Sequence, residues 1–169
     1  VTKVRTRLES LKPLGYSSAG VVVGVGDGVT DIRMGDRVAC AGAGYASHAE
    51  IVFVPRNLCA PVPANVSFDQ ASYTTVGAIA MQGVRQADVR LGETVVVIGL
   101  GLIGQITAQL LRASGCRVVG VDIDERAVER ARSLGVDLAL RRGDDAERQI
   151  AAFTAGIGAD AVVITASTS

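Results

Sequence analysis

The chain has no tryptophan, a single histidine and three cysteines in 169 residues, and aromatic residues make up only 4% of it. Cys40, Cys59 and Cys116 lie far apart, form no C-x-x-C pair and stand at no metal-ligand spacing from His48. A zinc-finger module and a disulfide-knit secreted scaffold are therefore excluded, and a reducing cytoplasm fits this cysteine usage best. No charge predominates: 17 Lys and Arg balance 17 Asp and Glu. There is thus no basic field for nucleic acid or anionic lipid, and no acidic tail. Long hydrophobic runs are missing too. The longest, 95–103, contains Gly99 and Gly101 and is too short to span a bilayer, and Val1 to Lys12 lacks an apolar signal-peptide core. No membrane or nucleic-acid partner is expected. What is present is 49% hydrophobic residues, enough to pack a core.

The first half reads as short strands between glycine turns. Ala19 to Val25 and Arg37 to Cys40 are strand candidates, and His48 to Val54 is a third, stopped by Pro55. The pattern changes at Ser67-Phe68-Asp69-Gln70, a capping-box sequence, which predicts helices over Phe68 to Tyr73 and Val76 to Ala87. Strands are then expected at Thr94 to Ile98, Arg117 to Val121, Leu138 to Leu140 and Ala161 to Thr165. Helices are expected at Leu102 to Ala113, Glu125 to Leu134 and Asp145 to Phe153. Near-continuous apolar strands such as Val95-Val96-Val97-Ile98 suit a parallel sheet covered on both faces. The fold class is therefore α/β, with a β-rich domain over 1–74 and a strand–helix–strand domain over 75–169.

Gly99-Leu100-Gly101-Leu102-Ile103-Gly104 follows a predicted strand and opens a predicted helix, the context in which G-x-G-x-x-G binds a dinucleotide. Gly99 permits the tight turn, Gly101 lets the backbone approach a pyrophosphate, and Gly104 lets the helix press on the sheet. Free N–H groups near Leu102 and Ile103 would face the anion. Asp122, 23 residues after Gly99 at the end of the next strand, is placed to accept hydrogen bonds from the adenosine ribose. Its charge would repel a 2′-phosphate, so NAD(H) is preferred; Arg126 could instead reach such a phosphate, which keeps NADP(H) as the alternative. Asp124 reads as a helix N-cap. Thr165, with Ala166 and Ser167, sits at the carboxyl end of its strand, where open α/β sheets bind ligands.

Gly20-Val21-Val22-Val23 with Gly26, Gly28 and Val29, then Gly35-Asp36-Arg37-Val38, Tyr45 to Pro55, Pro63 to Ser67, Leu91 to Val95 and the glycine loop resemble, in that order, the medium-chain dehydrogenase/reductase family. The likeness is nearest to a zinc-free branch found at the front of bi-domain oxidoreductases. It implies a partial GroES-like substrate domain followed by the first part of a Rossmann doubly wound parallel sheet, with NAD(P)H held in the cleft between them. It also implies a homo-oligomer in full-length form, a fused second dehydrogenase module, and a chain that is a fragment of the whole. Zinc-dependent members carry a histidine and a glutamate after the glycine that corresponds to Gly15, and a cysteine near Thr75 or Val76. This chain has Tyr16 and Ser17, and no thiolate near Thr75, so no zinc is expected.

Tyr16, Ser17 and Thr75 occupy positions that resemble the vacated metal site and are the candidate catalytic groups; a tyrosine hydroxyl is the better proton donor of the three. His48 reads as a strand-surface residue, and the three cysteines as small buried side chains. The function expected is zinc-independent hydride transfer between NAD(H) and a small alcohol or carbonyl compound, sugar-derived compounds included. A catalytically silent dinucleotide-binding module is the alternative, and a methyltransferase a more distant one.

Overall fold

The computed structural model describes residues 13–143 and 145–166. The chain separates into two compact units, one ending at Val76 and the other starting at Gly77. Ser167, placed above near a ligand, lies outside the described residues, as do Val1 to Lys12.

In the first unit, β1 (Ser17–Val21), β2 (Arg37–Ala41) and β3 (Cys59–Pro61) form an antiparallel sheet in the order β1-β2-β3. Its hydrophobic core gathers Ile32, Val38, Cys40 and Ala46. The first strand is shorter than the Ala19 to Val25 run suggests. Beyond Val21, among the described residues, only Val22 continues the pairing, donating to the Asp36 carbonyl and accepting from Gly35. His48 to Val54 is not a strand. A strand exists only where a neighbour takes up its backbone groups; among the described residues the His48 N–H reaches the Leu14 carbonyl, and Ile51 and Phe53 remain 75% and 82% exposed.

After β3, the loop leading to the first helix is tied down by Arg37. Its guanidinium donates to the carbonyls of Pro63, Ala64 and Val66 and lies 4.5 Å over the Phe68 ring. Helix α1 (Phe68–Ala71) begins at Ser67 with both capping-box bonds in place: Gln70 N–H to the Ser67 hydroxyl, and Ser67 N–H to the Gln70 side chain. Helix α2 spans Thr74–Ala87.

The second unit is built on a parallel sheet of β4 (Thr94–Ile98), β5 (Arg117–Asp122), β6 (Leu138–Arg141) and β7 (Ala161–Ile164), in the order β6-β5-β4-β7. Between the strands run α3 (Leu102–Ala113), α4 (Glu125–Ser133) and α5 (Ala146–Phe153). Alternation along the strands divides two cores. Val95, Val97 and Val118 pack with Leu111 and Val128 on one face, while Val96, Val119 and Val121 meet Ile150 and Phe153 on the other. Each fully buried valine or leucine contributes about 1.5–3 kcal/mol relative to exposure. Strands β5 and β6 extend from one side of β4 and β7 pairs on its other side, so the strand order reverses at β4. Such a switch point opens a crevice at the carboxyl ends of the strands.

Candidate functional site

The glycine loop lies at that crevice. Gly99 leaves β4 with φ of +92°, a left-handed conformation that favours glycine, and its N–H donates to the Val121 carbonyl at 2.8 Å. A Cβ on Gly104 would lie 1.9 Å from the Gly99 carbonyl oxygen, so a side chain there would lift α3 off the loop. Gly101 differs from both: among the described residues a Cβ there would meet nothing within 4 Å. Among the described residues nothing in the packing requires glycine at that position, so the vacant space stands out in front of the helix start. Gly101 is also the N-cap of α3 and supplies no side-chain cap. The first bond of the helix runs from Gln105 N–H to the Gly101 carbonyl, which leaves the N–H groups of Leu102, Ile103 and Gly104 without intrahelical acceptors. Uncapped amides at the positive end of a twelve-residue helix, fronted by open space, fit a diphosphate.

Leu100 is clamped at three points. Its N–H donates to the Asp122 carboxylate, its carbonyl accepts from the Gln105 side-chain amide at 3.0 Å, and its buried side chain packs where a Cβ on Gly120 would stand 2.9 Å away. Gln105 also donates to the Ala127 carbonyl at 2.9 Å, so one buried amide ties the loop to α4. Neither Gln105 nor Gly120 was singled out in the sequence. The signal for Gln105 is a polar residue in helical register with the buried Ala108, and for Gly120 a glycine inside an otherwise apolar strand.

Asp122 sits at the end of β5. One carboxylate oxygen accepts from Leu100 N–H and the other from Asp124 N–H at 2.8 Å. A carboxylate offers about four lone-pair directions, so two remain for a ligand. Asp124 caps α4 by accepting from Arg126 N–H. The Thr165 hydroxyl donates to the Gly99 carbonyl at 2.6 Å, which makes it a brace under the loop. Asp160 sits at the other end of the sheet, where it accepts from Thr94 N–H.

In the first unit, Ser17 and Thr75 come together. The Ser17 hydroxyl donates to the Ser72 carbonyl and accepts from Thr75 N–H at 3.3 Å, while the Thr75 hydroxyl donates to the Cys40 carbonyl at 3.2 Å. Tyr16, beside them in sequence, is 43% exposed. The His48 ring lies against Gly15, where a Cβ would come within 2.5 Å of it. Among the described residues no three His, Cys, Asp or Glu side chains gather into a cluster able to hold a metal ion, and no helix is long and apolar enough to cross a membrane.

Comparison with known proteins agrees with this architecture. The family described as "Alcohol dehydrogenase GroES-like domain" matches residues 4–64, and "Zinc-binding dehydrogenase" matches residues 103–169. The D-guloside 3-dehydrogenase of Shigella flexneri is 37% identical over 155 residues, covering 90% of this chain and 44% of the relative. An alcohol dehydrogenase of Geobacillus stearothermophilus is 29% identical over 181 residues, covering 90% of this chain and 53% of its own length. A mycobacterial structure solved with NADPH superimposes with a TM-score of 0.77 at 31% identity, covering 89% of this chain and 49% of that one. The chain belongs to the medium-chain dehydrogenase/reductase family, the alcohol dehydrogenase-like oxidoreductases. It spans about half the length of the curated relatives it matches.

Proposed function

We propose that the protein carrying this chain is a nicotinamide-dependent oxidoreductase that exchanges a hydride with a small alcohol or carbonyl substrate without a catalytic zinc. The observation that carries this reading is the open space at Gly101 before the unbonded amides of Leu102, Ile103 and Gly104. Those groups would hold the diphosphate, Gly99 and Thr165 would keep the bend in shape, and the remaining lone pairs of Asp122 would accept the ribose hydroxyls. When bound, the dinucleotide supplies the hydride donor or acceptor. The negative charge of Asp122 favours NAD(H) over NADP(H), since a 2′-phosphate beside it would meet like charge. Arg126, on the first turn of α4, is the group that would serve a phosphate instead.

The residues at the positions resembling the metal site do not fit a zinc ion. Tyr16, Ser17 and Thr75 offer only hydroxyls, and two of those hydroxyl protons are committed to the Ser72 and Cys40 carbonyls. Tyr16 is then the group to donate a proton to a developing alkoxide, with Ser17 and Thr75 as positioning residues. The name of the Shigella relative makes a sugar-derived alcohol the favoured substrate class. The test is turnover by the intact protein with NADH and a panel of ketones, aldehydes and keto sugars, with and without a chelator. Chelator-insensitive oxidation of NADH is expected. Loss of activity with chelator would refute zinc independence, and NADH binding without turnover of any compound would leave a silent binding module.

A further inference from the structure

Two cysteines outside the cofactor loop are placed together by strand register. Cys40 on β2 and Cys59 on β3 are direct cross-strand partners, and their Sγ atoms stand 3.9 Å apart. The hydrogen bond from Val62 N–H to the Arg37 carbonyl marks 37 and 62 as a bonded pair. Counting inward, 38 and 61 are non-bonded, 39 and 60 bonded, and 40 and 59 non-bonded. Pro61, which has no N–H to donate, accordingly falls at a non-bonded position. In non-bonded antiparallel pairs the Cα atoms approach to about 4.5 Å, inside the window that a disulfide requires. Both cysteines line a cavity of about 430 Å³, which also opens on Val21, Ile51 and Phe53. Cys40 is buried and Cys59 half-buried, and both are free thiols.

We propose that Cys40 and Cys59 are an oxidisable dithiol that closes into a reversible disulfide between β2 and β3. Closure needs the sulfurs to move from 3.9 Å to about 2.05 Å, a distance that side-chain rotation covers without moving the strands. With a low-molecular-weight disulfide such as oxidised glutathione as the oxidant, the more accessible Cys59 attacks as thiolate. One glutathione leaves, and Cys59 carries the mixed disulfide. Cys40 then gives up its proton and attacks the Cys59 sulfur, releasing the second glutathione. Two protein thiols are oxidised by two electrons, one glutathione disulfide is reduced to two thiols, and the two protons leave with them. Oxidation pins β3 to β2 one hydrogen bond behind Thr75, whose hydroxyl donates to the Cys40 carbonyl.

Trypsin separates the pair, because Arg37, Arg56 and Arg85 bound the peptides 38–56 and 57–85. The intact, folded protein is equilibrated with oxidised glutathione, its remaining thiols are blocked with N-ethylmaleimide, and it is digested without reductant. The expected result is peptide 38–56 recovered mostly linked to 57–85, returning to two maleimide-labelled peptides after dithiothreitol, with Cys116 never in the link. In Cys59→Ser, peptide 38–56 should remain unlinked and unglutathionylated. Recovery of the two peptides as separate maleimide or glutathione adducts, while circular dichroism shows a folded protein, overturns the proposal. So does a link that forms only after the protein is unfolded.

Discussion

Replacing Gly101 with alanine separates what the loop does for folding from what it does for binding. The added methyl meets no atom of the described residues within 4 Å, and Gly101 has an ordinary φ of −67°, so alanine fits without strain. Two small terms then oppose one another. Alanine is a poorer N-cap than glycine by a few tenths of a kcal/mol up to about 1 kcal/mol. Replacing glycine also lowers the entropy of the unfolded chain, which stabilises by about 0.4–1 kcal/mol. They nearly cancel, and a domain of this size should show a melting shift within about 4 °C. Binding has no such compensation. The methyl occupies the space through which a diphosphate must reach the amides of Leu102 and Ile103, and losing one charge-assisted hydrogen bond costs about 1.5–3 kcal/mol. That corresponds to a Kd for NADH weakened by about 10-fold to 150-fold. Thermal melting of the Gly101→Ala protein beside calorimetric titration with NADH reads both quantities. An unchanged melt with unchanged NADH affinity would refute the approach of the diphosphate at Gly101.

Other perturbations test the supports and the charges. Asp122→Asn keeps an acceptor for Leu100 N–H but removes the charge that opposes a 2′-phosphate; the ratio of NADPH to NADH dissociation constants should fall at least several-fold. Gln105→Leu strips the Leu100 and Ala127 carbonyls of their buried donor and should destabilise by about 1–3 kcal/mol in urea unfolding. Burial, and then the neighbouring Cys59, pushes the Cys40 thiol up from its ordinary 9.0 to about 11. The unfolded chain therefore loses that proton first. Stability from this group is fully present below pH 9 and is lost as pH rises toward 11. The urea midpoint should fall over that range more steeply in the native protein than in Cys40→Ser.

The second unit was far more legible in the sequence than the first. The expected bounds of β4 and α3 match the structure residue for residue, because a buried parallel strand leading into a glycine-started helix carries both its hydrophobicity and its boundary locally. Strands of the first unit depend on partners that periodicity does not reveal. His48 to Val54 has strand composition but no ladder among the described residues, whereas Cys59–Pro61 has only three residues and contains a proline, and is a strand because β2 pairs with it. At the loop, the glycines and Asp122 could be picked out by spacing, since each answers a backbone requirement within one strand–helix–strand unit. Gln105 and Gly120 serve contacts with Leu100 across elements, and Thr165 reaches back 66 residues to Gly99. Such contacts exist only once the sheet is assembled.

The diphosphate cradle at the head of α3 is what cofactor binding would depend on, and calorimetric titration of the intact, folded protein with NADH tests it directly. Saturable binding of one NADH per chain, tighter than that of NADPH, is the expected result. Absence of heat or saturation with either coenzyme would contradict it.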